Sequence, residues 1–120
     1  MSNPNIAGLT YIYGNTAVTS SISTSAPGSN VAGAVPSNTV WKVASVTAAN
    51  KTTSTVNCSL IFYRSSTSYY IAYQIAVPGN ASIVLVGKDS MIYMNEGDYL
   101  YAYASTGTAI DVTVSYEAIS

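Results

Sequence analysis

Few side chains in this sequence could carry out chemistry. Three of its five acids, Asp89, Glu96 and Asp98, lie close together. Grouped carboxylates are what a calcium ion takes, together with backbone carbonyls, and a carboxylate pair is what glycoside hydrolysis uses. Their spacing matches no calcium loop, and nothing in the sequence sets two of them across a cleft. Glu96-Gly97-Asp98 reads instead as a polar turn that opens a strand, with Gly97 at positive φ. The single cysteine, Cys58, falls on a strand face with Val56, Leu60 and Phe62. Its nearest cations in sequence are Lys51 and Arg64, so a small buried hydrophobe is expected rather than an activated thiol. The chain has no histidine, which excludes Ser–His–Asp and Cys–His nucleophiles and imidazole metal sites. The expectation is a protein that is not an enzyme and holds neither cofactor nor metal.

Tyrosine is the informative residue type: there are eleven, against one Phe and one Trp. In Asp98-Tyr99-Leu100-Tyr101-Ala102-Tyr103-Ala104, three tyrosines alternate with small apolar residues. A strand places Tyr99, Tyr101 and Tyr103 on one face and Leu100, Ala102 and Ala104 on the other. Turning the tyrosines inward would require three buried partners for their hydroxyls, so the expected phase is tyrosines outward. An outward ladder can pack against another protein, since Tyr is enriched at interfaces. It can also stack sugar rings, or simply stabilise the sheet through cross-strand contacts.

The rest of the composition points the same way. Of 120 residues, 8% are charged and 48% hydrophobic, with a net charge of −1. An ordinary soluble domain has roughly 25% charged residues. A real core is therefore available, but little charge keeps copies apart. No basic excess exists to hold a phosphate backbone, so nucleic acid is not an expected partner. The opening residues lack the charged and apolar regions of a signal peptide, and no run is long enough for a membrane span. Synthesis in a cytoplasm, without membrane association, is expected. Asn50-Lys51-Thr52, Asn57-Cys58-Ser59 and Asn80-Ala81-Ser82 match the glycosylation pattern, as chance allows in a chain this rich in Asn, Ser and Thr.

Period-two alternation and β-branched residues dominate, and no helical stretch of ten residues stands out. Strands are expected at Leu9 to Tyr13, closed by Gly14-Asn15, and at Thr16 to Ser23, with Val18 and Ile22 on one face. A third runs from Thr39 to Ala49, with a β-bulge near Ala44-Ser45 that brings Val46 back into phase with Trp41 and Val43. Thr55 to Tyr63 and Tyr69 to Val77 follow, the latter with Ile71, Tyr73, Ile75 and Val77 aligned. Ala81 to Val86, Tyr99 to Ser105 and Ala109 to Ala118 complete the set. The fold class is all-β: one antiparallel β-sandwich domain over residues 1–120, jelly-roll-like, with about eight strands. Residues 1–8 read as an N-terminal arm. Thr24 to Asn38 reads as a long loop that either crosses between sheets, with Val31 to Val35 as a short strand, or reaches a neighbouring subunit. Trp41 and Phe62 are expected to be buried on facing sheets.

From about Val35 onward the sequence resembles small virion structural proteins of tailed bacteriophages, notably those of cyanobacterial and other marine hosts. The matching residues are Val40-Trp41-Lys42-Val43 leading to Asn50, Tyr69-Tyr70-Ile71-Ala72 with Val77-Pro78, and Asn95-Glu96-Gly97-Asp98-Tyr99-Leu100. Ala104-Ser105 and the ending Val112-Thr113-Val114-Ser115-Tyr116-Glu117-Ala118-Ile119-Ser120 complete them. The family often has polar residues where Tyr99, Tyr101 and Tyr103 stand, in keeping with an outward face. The resemblance implies residence in the virion after assembly in the bacterial cytoplasm, and no catalysis. The function expected is decoration or cementing of the capsid shell. The partners would be the major capsid protein or other virion subunits, and the chain would form a homo-oligomer, a trimer in first place. A neck, tail or baseplate component is the alternative within that class, and a glycan-binding module the alternative outside it.

Overall fold

The structure, a computed structural model, describes residues 12–120. Nine strands are present among them: β1 (Ile12–Thr19), β2 (Ser29–Asn30), β3 (Val40–Asn50), β4 (Val56–Arg64), β5 (Thr67–Val77), β6 (Ser82–Val86), β7 (Ile92–Met94), β8 (Tyr99–Ala104) and β9 (Ile110–Ile119). A 3₁₀ turn at Lys88–Ser90 separates β6 from β7. Sheet A has the order β1-β9-β3-β6, with β7 also paired to β3; sheet B has the order β2-β8-β4-β5. All pairings are antiparallel.

The topology follows from one long hairpin. Its tip is Ser65-Ser66, both at positive φ, joining β4 to β5; positive φ at both central residues is what a tight hairpin turn requires. Moving away from the tip, β3 pairs with β6 and β7, β2 with β8, and β1 with β9. Rolling this double ribbon brings β9 against β3 and β8 against β4. The result is a jelly roll, as the alternating sequence predicts.

The core lies between the sheets. Sheet A contributes Trp41, Val43, Val46, Ala48, Ile110, Val112, Val114 and Tyr116; sheet B contributes Val56, Cys58, Leu60, Val77, Leu100, Ala102 and Ala104. Trp41 stacks on Tyr116 with ring centroids 4.3 Å apart. Burial pushes the Tyr116 phenol up, and carries the Cys58 thiol to about 11, so this cysteine is held as a neutral thiol. The expected bulge is present: β3 shifts register between Val43 and Ser45, and Val46 turns inward.

Several expectations are corrected. The turn at Gly14-Asn15 does not form; β1 runs straight through both residues, because each pairs with β9. Leu9 to Tyr11 and the arm of residues 1–8 lie outside the described residues. Val18 and Ile22 do not share a face. The strand ends at Thr19, Val18 is 69% exposed, and Ile22 is buried in the core, its N–H bonded to the Ile110 carbonyl. Phe62 is only half-buried, at the open end of β4, with the Arg64 guanidinium 4.9 Å above its ring. Ile71 and Tyr73 do not align inward with Ile75 and Val77. Two register shifts in the β4–β5 ladder change the phase, and Ala72 takes the inward place opposite Leu60.

The long loop passes from sheet A to sheet B and back. Its strand is Ser29–Asn30 rather than Val31 to Val35, and Val31, Ala32 and Val35 are buried as a lid on the core. Gly28 makes this possible: it sits at φ 97, and a side chain there would collide with the Ala102 carbonyl. Asp111 anchors the start of the crossover. It accepts hydrogen bonds from the Ser21 N–H (2.9 Å) and Ser20 Oγ (3.1 Å), and it pairs with Lys51 Nζ at 2.9 Å.

Two predictions follow from this packing. Trp41→Ala should cost about 3–5 kcal/mol and half-buried Phe62→Ala about half as much, a ranking that urea denaturation of both variants checks. Asp111 is held below the usual carboxylate range, first by Lys51 and then by the Ser21 N–H. A carboxylate that titrates lower folded than unfolded stabilises the fold at neutral pH, and loses that contribution as pH falls below about 4. The melting temperature of Asp111→Asn should therefore lie below wild type at pH 7 and approach it in acid.

Candidate functional site

Strand β8 buries Leu100, Ala102 and Ala104 on the inner side of sheet B, which turns Tyr99, Tyr101 and Tyr103 outward. Directly opposite them on β4 stand Tyr63, Ile61 and Ser59. Opposed residues of an antiparallel pair share a face, so these six form one outer surface. Ile61 is 1% exposed although it lies outside the central core. It is covered from the outer side, where Tyr101 and, from β5, Tyr70 flank it in register.

The rings form two clusters, which meet across Ile61. Tyr63 lies 6.1 Å from Tyr99 and 5.7 Å from Tyr101, the latter edge to face, and Tyr99 lies 5.9 Å from Tyr101. Farther along, Tyr70 meets Tyr73 edge to face at 4.8 Å and Tyr103 at 6.4 Å. Such contacts add about 0.5–1.5 kcal/mol each beyond area burial. The hydroxyls of Tyr70 and Tyr103 are 3.0 Å apart; that bond holds the Tyr70 phenol above its ordinary value. The tyrosines thus pack on one another and on Ile61, while their outer edges face solvent. Tyr73 is 57% exposed.

Tyr63 is legible in the sequence, since it alternates with Phe62 on β4. Tyr70 is legible too: it falls on the face opposite Ile71, and its register with Ile61 runs unbroken from the Ser65-Ser66 tip. Tyr73 is not. It reaches this face because β5 carries extra residues against β4, one between Ile75 and Ala72 and one between Ala72 and Tyr70. Bulges re-aim side chains in this way.

The acids are structural. Gly97 sits at φ 88 in the turn before β8, as its place between Glu96 and Asp98 predicts. Asp98 is buried and fully engaged: Arg64 donates from Nε at 2.9 Å and from the guanidinium end at 2.5 Å, and the Asn95 N–H donates at 2.7 Å. This clamp joins the end of β4 to the start of β8 and holds Tyr63 opposite Tyr99. Glu96 accepts from Ser37 Oγ at 3.2 Å. Among the described residues, no three His, Cys, Asp or Glu side chains converge as metal ligands would. No described helix is long and apolar enough to cross a membrane.

The outer face of sheet A is different in kind. It carries Lys42 paired with Glu117 at 3.7 Å, and the pairs Ser45–Ser115 and Thr47–Thr113. Its exposed apolar residues, such as Val18, Val84 and Tyr93, are scattered. The clustered aromatic surface belongs to sheet B. No protein-family model, curated protein or solved structure matches this chain.

The covering of Ile61 is testable. Ile61→Ala should destabilise by about 2–4 kcal/mol, as for a core residue, although the side chain points away from the core. An ordinary outward strand position would shift stability by roughly 0.5 kcal/mol or less. Chemical denaturation decides between the two.

Proposed function

We propose that the protein is a non-catalytic structural subunit of a tailed-bacteriophage particle. In this reading it decorates or cements the capsid shell by docking other virion subunits through the tyrosine face of sheet B. The observation that carries the docking surface is the two tyrosine clusters, Tyr63, Tyr99 and Tyr101 beside Tyr70, Tyr73 and Tyr103, on one face of a chain with four cations and five acids. Tyrosine supplies large contact area with a polar tip, which suits a contact that is broad and partly wet. A protein with so little charge has weak electrostatic protection against association. The virion setting rests on the family resemblance of the segment from Val35 to Ser120.

Tyr99, Tyr101 and Tyr103 are the central contact residues of this surface. The major capsid protein is the first partner. Shell lattices offer local three-fold points, so three copies around such a point give a closed, multivalent arrangement. A place in the neck, tail or baseplate would use the same face with a different partner. Copy number separates the two: hundreds per particle for a shell protein, six, twelve or a small multiple for a tail part.

The decisive measurement is co-sedimentation with particles assembled without the protein. Buried aromatic anchors commonly contribute about 2 kcal/mol or more each, so replacing Tyr99, Tyr101 and Tyr103 together by Ser should abolish binding. The inner face of β8 is untouched, and the triple variant should fold, with a lowered melting temperature because Ile61 loses cover. Tyr73→Arg is the partner variant: its exposed side chain supports no packing of the core and loses only the ring contact with Tyr70, so it should fold with a slightly lowered melting temperature while the added charge weakens binding. Undiminished binding by both variants would place the contact elsewhere.

A further inference from the structure

At the Tyr103 end of the outer face of sheet B, the surface sinks into a pocket of about 260 Å³, lined by Ala104 and by Thr24, Asn57, Ser59, Gln74, Tyr103 and Ser105. None of the latter six side chains is charged. Three carry hydroxyls, two carry primary amides, and the sixth is a phenol ring. The hydroxyls are fixed in part by the main chain. Ser59 Oγ accepts the Gln74 N–H at 2.8 Å, and Ser105 Oγ accepts the Asn57 N–H at 3.0 Å. Tyr103 is steadied by its bond to Tyr70. The side-chain amides of Asn57 and Gln74, by contrast, make no hydrogen bond among the described residues.

Gln74 is also the residue that β5 distorts. It lies within a strand yet sits at φ 49, in the left-handed region. That conformation is uncommon for a residue other than Gly, Asn or Asp. It falls at one of the two extra residues of β5, where the bulge turns the Gln74 N–H onto Ser59 and brings Gln74 to the pocket wall. Strained backbone at a pocket-lining polar residue is a mark of ligand sites.

We propose that this pocket binds one neutral sugar ring, the end residue of a glycan. The lining offers no counter-charge for a phosphate, carboxylate or ammonium group. Two amides, each with a donor and an acceptor, and three hydroxyls match the alternating donors and acceptors of adjacent sugar hydroxyls. The Tyr103 ring supplies an apolar wall for the C–H face of the ring. The volume lies just below the range of roughly 300–1,000 Å³ typical of sites for larger ligands, and so suits a single ring. The site stands apart from subunit docking: of the three central contact residues it uses Tyr103 alone, and it holds whether or not the protein resides in a virion.

The test is saturation-transfer NMR of the whole chain with the methyl glycosides of glucose, galactose and mannose, and with N-acetylglucosamine. At least one should receive saturation, with a dissociation constant on the order of 1–10 mM, as expected for a few hydrogen bonds and one ring contact. Asn57→Ala and Gln74→Gly should each weaken it roughly fivefold or more. Glycine accepts the positive φ at position 74, so that variant should melt no lower than wild type, and a loss of binding there reports the side chain alone. Tyr99→Ser, at the far end of the tyrosine face, should leave the sugar affinity unchanged. The proposal is overturned if none of the four sugars receives saturation at about 20 mM. It is equally overturned if Asn57→Ala and Gln74→Gly both bind as wild type, or if Tyr99→Ser removes binding.

Discussion

Strand β8 imposes the constraint on which the molecule is built. Its side chains alternate between small apolar residues and tyrosines, and a strand cannot bury both sets on one side. Leu100, Ala102 and Ala104 go inward, and the crossover backbone at Gly28 lies directly against the Ala102 carbonyl. The three rings must then stand outside. That single choice gives sheet B two packed surfaces: the core beneath, and above it a layer in which Ile61 is as well buried as any core residue. Sheet A, with Ser and Thr pairs at the matching outer positions of β3 and β9, has only one.

The few charges serve this arrangement. Arg64 and Asp98 clamp the ends of β4 and β8, Lys51 and Asp111 hold the start of the crossover, and Lys42 and Glu117 bridge β3 and β9. Three of the four cations are thus spent on holding strands together. Asn50 does comparable work without charge: its amide donates to the Ser54 and Val77 carbonyls while its oxygen accepts from Thr52, tying the β3–β4 loop to the end of β5. Apart from Lys88, Asp89 and Glu96, what remains for outside contacts is mainly aromatic, hydroxyl and amide. On the readings proposed above, that chemistry serves broad contacts with other subunits and, at the Tyr103 end, a neutral polyhydroxyl ligand.

The legible parts of the sequence are those where alternation runs unbroken or breaks once. Strands β3, β4, β5, β6, β8 and β9 lie within a residue or two of their expected bounds, and the β3 bulge is visible because Val46 is out of phase with Trp41 and Val43. The Glu96-Gly97-Asp98 turn was visible from Gly97 between two acids. β1 misled because Gly14-Asn15 is a strong local turn signal that pairing with β9 overrides. Phe62 misled because alternation reports a side chain's direction but not where the sheet ends. The two-residue β2 and three-residue β7 are too short to show a period, and exist only because β8 and β3 present them with an edge.

By itself, then, the sequence determined the all-β class, the sandwich, the phase of β8 and the outward place of Tyr99, Tyr101 and Tyr103. These depend on period-two patterning and on the low cost of burying alanine compared with three phenol hydroxyls, both local properties. Tertiary structure alone decided which other residues join them. Tyr73 reaches the tyrosine face through a bulge in β5 whose position depends on pairing with β4. Asn57, Gln74 and Thr24 meet at one pocket because the rolled ribbon brings β4, β5 and the crossover to the same end of β8. Register across an edge strand depends on partners distant in sequence, and a one-residue slip exchanges the two faces, so no reading along the chain could have assembled that site.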